Sequence, residues 1–303
     1  MRARAYAVCA LLLLSACGED DRPPPPSASP AVQPPVAGST WPPVGVPSDQ
    51  RLHVVPFPAS PGARFVIFGA SWCPGCVAAT LEDAALARRY AGRMEVGIAL
   101  HGDSDETFIA SSPARWLSGV TVWSAQSAGP VAERCGVRMI PFACLVDGER
   151  VLWRGDAGDG AVILDAHLAG TLDAALARRA SSEAIVDEAI ARGDAESRQR
   201  AAAALRGFAG AENSIAWGLV DRSAPAPAEL ALALEFARDA SDATGGLNSA
   251  ILDTYAVALS KSGRAAEAAA VGRRVIAVCD AIGSGCDEER PRAEDLIRAA
   301  AGG

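Results

Sequence analysis

The sequence predicts an α/β unit followed by an all-α helical-repeat region. Three observations carry this. A short apolar run, Phe65-Val66-Ile67-Phe68, leads through Gly69-Ala70-Ser71-Trp72 into Cys73-Pro74-Gly75-Cys76 and an alanine-rich helical stretch. Short strand-like runs and helical stretches then alternate to about residue 179, an order that lays helices on a sheet. From about residue 181 the pattern is helical throughout, with Gly and Pro clusters at helix-hairpin spacing. With 303 residues the chain is long enough for two domains with real cores.

After the first strand and its helix, Met94 to Leu100 reads as a strand and 103–110 as a helix. Val120-Thr121-Val122-Trp123 is the next strand. Phe142 to Val146 and Arg150 to Trp153 flank Asp147-Gly148, a dipeptide suited to a tight hairpin turn. Residues 161–179 give a closing helix.

A strand that ends in C-x-x-C at a helix start puts the first thiol at the helix N-terminus. There the macrodipole and free N–H groups stabilise a thiolate. Only the thiolate attacks a disulfide, so Cys73 reads as a redox nucleophile. Cys76, three residues on, is within reach to close an internal disulfide and release the product. Pro74 fits the first helical turn, where its missing N–H costs nothing. A C-x-x-C is also half of a zinc site. The remaining ligands would have to come from His53, His101 or His167, and no second C-x-x-C exists. No metal is therefore assigned. A peroxidase of the peroxiredoxin kind would want Thr or Ser three residues before its cysteine, where this chain has Ala70.

Trp72, Cys73 and Cys76, with Val137-Arg138-Met139-Ile140-Pro141 about sixty residues later, resemble the thioredoxin superfamily. The likeness covers roughly residues 50–179 and is nearer to the TlpA-like group of membrane-tethered bacterial thiol–disulfide oxidoreductases. That group carries an extra strand–helix stretch before the proline, which residues 94–122 supply. The resemblance implies a central mixed sheet flanked by helices and a cis Pro141 facing the dithiol. It also implies a substrate groove formed by Trp72, Pro74, Gly75, Ile140 and Pro141. Its substrates would be protein thiols and disulfides, with a membrane-linked electron donor or acceptor and no organic cofactor. Two departures stand out. The family's buried aspartate, six residues before the first cysteine, is Ile67 here, so deprotonation of Cys76 must use water or another group. The family's Gly-Pro between the cysteines is reversed to Pro74-Gly75.

Arg2 and Arg4 precede an apolar stretch, Tyr6 to Ala16, too short to span a membrane and suited to a signal peptide. It ends in Leu14-Ser15-Ala16-Cys17, which resembles the bacterial lipobox. That implies cleavage before Cys17 and lipidation of its thiol, with residues 1–17 as the signal and a periplasm-facing, lipid-anchored protein in the cell envelope. Residues 18–50 are rich in Pro among Ser, Ala and Gly, a composition that makes a semi-rigid tether rather than a core. The formal charge is −8, or −10 without Arg2 and Arg4. Such a balance argues against nucleic acid or an anionic bilayer as electrostatic partner.

Four of the eight cysteines remain, and an oxidising compartment lets them pair. Cys279 and Cys286 would stand about 10.5 Å apart on one continuous helix, beyond the roughly 7 Å limit for a disulfide. Gly283-Ser284-Gly285 breaks the helix, so a structural disulfide there is expected. Cys135 and Cys144 flank the proline. They read as two buried small hydrophobes, with a structural bridge or a second redox pair as alternatives.

Residues 51–179 thus form the expected redox domain and 180–303 an α-helical domain. Within the latter, Trp217 to Ala240 and Leu252 to Val275 match at a period of 35. Leu252, Tyr255, Ala256, Leu259, Gly263, Ala268 and Val275 fall where a tetratricopeptide repeat places its packing residues, with Gly263-Arg264 as the turn. Residues 181–209 make a preceding helical pair and Arg292 to Ala301 a capping helix. Such arrays often bind peptides. The rival reading is therefore a non-catalytic lipoprotein scaffold in which these repeats bind a protein partner.

Overall fold

A computed structural model describes residue 52 and residues 54–58 and 62–302. The expected signal peptide, Cys17 and the Pro-rich tether lie outside the described residues, which fall in one compact unit.

A two-residue strand, β1 (Val54–Val55), precedes β2 (Ala63–Gly69). From Arg64 to Gly69 every residue of β2 is buried. An unbroken apolar run of this kind suits a central strand covered on both faces. α1 (Pro74–Tyr90) follows, then β3 (Glu95–Leu100) and the short α2 (Asp105–Ile109). A 3-10 turn over Pro113–Leu117 leads to β4 (Thr121–Trp123) and α3 (Ala125–Cys135). The hairpin is β5 (Phe142–Asp147) and β6 (Arg150–Gly155), with Gly148 at φ +57° in its turn. The six strands form one mixed sheet in the order β1-β4-β3-β2-β5-β6. β1, β4, β3 and β2 run parallel, and β5 and β6 join antiparallel beyond β2.

The alternation of β2 sets the two layers. Phe65 and Ile67 pack on Ala84, Leu86 and Tyr90 of α1, and with Ile163 and Leu164. Val66 and Phe68 pack on the other side with Trp123 and with Ala128, Val131 and Ala132 of α3. The sheet therefore has helices on both faces, and helices continue after it. The expected closing helix over 161–179 is instead two helices, α4 (Gly160–Leu168) and α5 (Leu172–Arg192). The cause is Gly170, at φ +69°. Its N–H donates to the His167 carbonyl and that of Thr171 to the Ala166 carbonyl, the bonding of a Schellman stop. α5 then runs unbroken to Gly193, at φ +66°. The boundary expected at 179/180 thus falls inside a continuous helix.

The remaining helices are α6 (Ala195–Leu205), α7 (Ala209–Val220), α8 (Pro227–Ala243), α9 (Ser249–Lys261), α10 (Ala265–Ile282) and α11 (Glu289–Gly302). They pack as successive pairs, α5 on α6, α7 on α8 and α9 on α10, with α11 against α10. Gly263, at φ +75°, turns the chain between α9 and α10. Among the described residues no helix is long and apolar enough to cross a membrane.

The helical region closes over α1. The cluster holding Phe65 and Ile67 continues through Leu205, Phe208, Leu219 and Phe236. Val77 and Leu81 of α1 belong to a second cluster with Val275, Val278, Cys279 and Ile282 of α10. Polar ties join the same surfaces. Ser112 Oγ donates to the Ile282 carbonyl at 2.6 Å, and Trp116 Nε1 to the Ala281 carbonyl at 2.8 Å. This explains the alanine content of α1: a helix held between a sheet and other helices is buried almost all round.

Candidate dithiol site

β2 ends at Gly69, and Ala70-Ser71-Trp72 turns the chain into α1. Cys73 is the N-cap residue, with extended backbone (φ −89°, ψ 112°), and Pro74 begins the helix. Helix N-termini leave main-chain N–H groups unbonded. Here Cys73 Sγ accepts one of them, from Cys76, at 3.2 Å. The Cys73 and Cys76 Cα atoms are 5.2 Å apart and the pair is disulfide-bonded. Both residues are buried, Cys73 at 5% exposure and Cys76 at 8%. Exposure therefore does not distinguish the two, whereas only Cys73 occupies the N-cap position.

The Ile140–Pro141 peptide bond is cis. Cys73 Sγ lies 3.6 Å from the Ile140 carbonyl oxygen, and Ile140 packs on Ala70, Cys73 and Cys76. Pro141 approaches Gly75 so closely that a Cβ there would stand 3.2 Å from Pro141 Cδ. The structure thus brings together Trp72, Cys73, Pro74, Gly75, Cys76, Ile140 and Pro141. Trp72 is 61% exposed and Met139 is 73% exposed, so two large apolar side chains stand in solvent on this face. Ile67 packs in the core beneath α1.

Asp103 belongs to the site but carries no sequence signal. Its carboxylate accepts the Ser71 N–H at 2.6 Å and the Ser71 hydroxyl at 3.2 Å. It thereby holds the turn that carries Trp72, whose ring lies over Gly102. A cleft of about 470 Å³ opens alongside, lined in part by His101, Gly102, Val137 and Arg138.

The other cysteines are paired. Cys279 and Cys286 form a disulfide with Cα atoms 5.8 Å apart. Cys135 and Cys144 are both fully buried and also form a disulfide, with Cα atoms 6.4 Å apart. They are therefore bonded to each other rather than separate buried thiols. Among the described residues no three His, Cys, Asp or Glu side chains are grouped to hold a metal ion.

Buried carboxyl groups collect where α1 meets the helical region. Burial raises Glu82 to about 7, although the Asn248 side chain, donating at 2.9 Å, opposes the rise. Asp83 is pushed well above the usual carboxylate range by burial and by neighbouring Glu82. Asp159, which accepts the Gly210 and Ala211 N–H groups, is raised to about 7 by burial and then by Asp156. Glu212 is raised to about 8 by burial and then by Asp239. No protein-family model matches this chain, and no curated protein matches it.

Proposed function

We propose that this chain is a thiol–disulfide oxidoreductase of the thioredoxin superfamily, similar to the TlpA-like group, acting on protein substrates. The observation that carries the reading is Cys73 at the N-terminus of α1, its sulfur on the Cys76 main-chain N–H and bonded to Cys76. The neighbouring Ile140 carbonyl and Pro141 support it by forming a wall beside the sulfur.

In the reducing direction, the Cys73 thiolate attacks one sulfur of a substrate disulfide. The S–S bond breaks, the other substrate sulfur leaves as a thiolate, and a mixed disulfide forms. Cys76, once deprotonated, attacks Cys73 Sγ, closes the internal disulfide and releases the second substrate thiolate. The oxidising direction is the reverse, ending with the Cys73–Cys76 pair reduced. Ile67 offers no acid or base, so water or another group carries the Cys76 proton. The reduction potential decides the direction. A value near −270 mV marks a reductase and one near −120 mV an oxidase.

The test is trapping. Cys76→Ser should accumulate a mixed disulfide through Cys73, and Cys73→Ser should not. If neither variant traps a disulfide, the reading falls. A protein retained equally by a variant lacking both cysteines would favour the scaffold reading, with the tetratricopeptide-like helices as the binding surface. The Leu14–Cys17 sequence supports a lipid anchor in the bacterial envelope. Cys17→Ser should release the protein from salt-washed membranes, and retention would overturn the anchor.

A further inference from the structure

We propose that the Cys135–Cys144 disulfide is a positioning element of the dithiol site, holding the segment that carries Ile140 and Pro141 against Cys73. The inference rests on the oxidoreductase reading above and adds to it.

The two cysteines stand at the two ends of that segment, nine residues apart. Cys135 is the last residue of α3, and Cys144 lies inside β5 opposite Val66 of β2. Both anchors are firm. Gly136, at φ +69°, ends α3, with its N–H donating to the Glu133 carbonyl and that of Val137 to the Ala132 carbonyl. Arg154 of β6 pairs in register with Cys144 and donates from Nη1 to the Cys135 carbonyl at 3.3 Å. The bridge and Arg154 together tie the end of α3 to the sheet.

Between these anchors, residues 137–141 have no regular secondary structure. Val137 and Ile140 lean on the cluster that contains the bridge, while Met139 is exposed. The ends fixed by the bridge and the packing of Val137 and Ile140 together set the Ile140 carbonyl 3.6 Å from Cys73 Sγ and Pro141 against Gly75. A covalent tie across a short segment restricts the conformations open to it. A groove wall kept in place before the substrate arrives lowers the ordering cost of binding.

The experiment replaces both cysteines in the full chain, Cys135→Ala with Cys144→Ala, and follows turnover of a synthetic extended peptide carrying one disulfide, with an excess of a small thiol, glutathione, as the reductant that returns the Cys73–Cys76 pair to its dithiol. Loss of the tie should raise KM about tenfold, roughly 1.4 kcal/mol of binding, with kcat little changed, the pattern of binding lost equally from ground and transition states. An unchanged KM overturns the proposal. An equal fall in kcat and kcat/KM together with a lowered Tm also overturns it, because the bridge would then serve stability alone. If the alanine pair does not fold, Cys135→Ala with Cys144→Val refills the strand core and enters the same assay. If that variant also fails to fold, the bridge is a global folding element and the positioning role is overturned. A wild-type protein that neither reduces this peptide's disulfide nor oxidises its dithiol form overturns the proposed function, and this inference with it.

Discussion

Gly75 shows how one missing atom shapes the dithiol site. A Cβ at this position would stand 3.2 Å from Pro141 Cδ, tighter than an ordinary contact. Gly75→Ala is expected to push the Ile140–Pro141 wall away from Cys73. Activity should fall several-fold while Tm changes little, since the helix itself favours Ala by about 1 kcal/mol. Steady-state kinetics with a disulfide peptide and a thermal melt of the same sample check this. An unchanged kcat/KM would show that the wall does not depend on this contact. Cys73 and Cys76 were legible from spacing alone, and Pro141 from its family context. Asp103 was not. Its bonds to Ser71 join residues 32 apart in sequence, a pairing set by where β3 ends beside β2.

α1 is the element on which the chemistry and the packing meet. Its N-terminus carries the dithiol, and its middle presents Glu82 and Asp83 to the helical region. The folded-state values of Glu82, Asp83, Asp159 and Glu212 lie above those of exposed carboxylates. Raised acids contribute stability that is fully present below the ordinary carboxylate range. It is lost as pH rises through the folded values, here about 7 for Glu82 and Asp159 and about 8 for Glu212. Tm should therefore fall between about pH 5 and about pH 9. Glu82→Gln keeps an acceptor for Asn248 but cannot ionise, so its Tm should fall less steeply. Differential scanning across that range checks both, and parallel slopes for the two proteins would refute the role of Glu82. In sequence Glu82 and Asp83 look like the polar face of an ordinary helix, because nothing local says that other helices will cover that face. β2 to β5 were legible because their apolar runs match their burial, whereas β1, two residues long and not buried, was not read from the sequence. The closing helix was misread because Gly170 is a stop only in the company of its Schellman bonds.

At the scale of the molecule, the sheet unit and the helical region share their core. α5 crosses the expected domain boundary, and Phe65 and Phe236 belong to one hydrophobic cluster. A chain ending at residue 179 would cut α5 in mid-helix and expose Val77 and Leu81. Such a fragment is expected to lack a cooperative thermal transition and to bind a hydrophobic dye, both measurable on purified protein. A sharp transition near that of the full chain would show that the sheet unit is independent. The run of paired helices was legible from the Gly and Pro clusters that separate them. The docking of those pairs on α1 was not, because it joins surfaces far apart in sequence.

One small contact carries that docking to the dithiol site. Gly285, at φ +70° in the turn closed by the Cys279–Cys286 disulfide, stands where any Cβ would come within 2.5 Å of Val77 Cγ1. Val77 directly follows Cys76. The side-chain sizes that positions 77 and 285 can hold are therefore coupled. Val77→Ala and Gly285→Ala should be strongly non-additive in a double-mutant cycle of unfolding free energies, with coupling of about 0.5–3 kcal/mol. Additive values would mean that the turn yields to the extra methyl. If they couple, a genetic screen begun at Val77 should find its compensating changes near the far end of the chain.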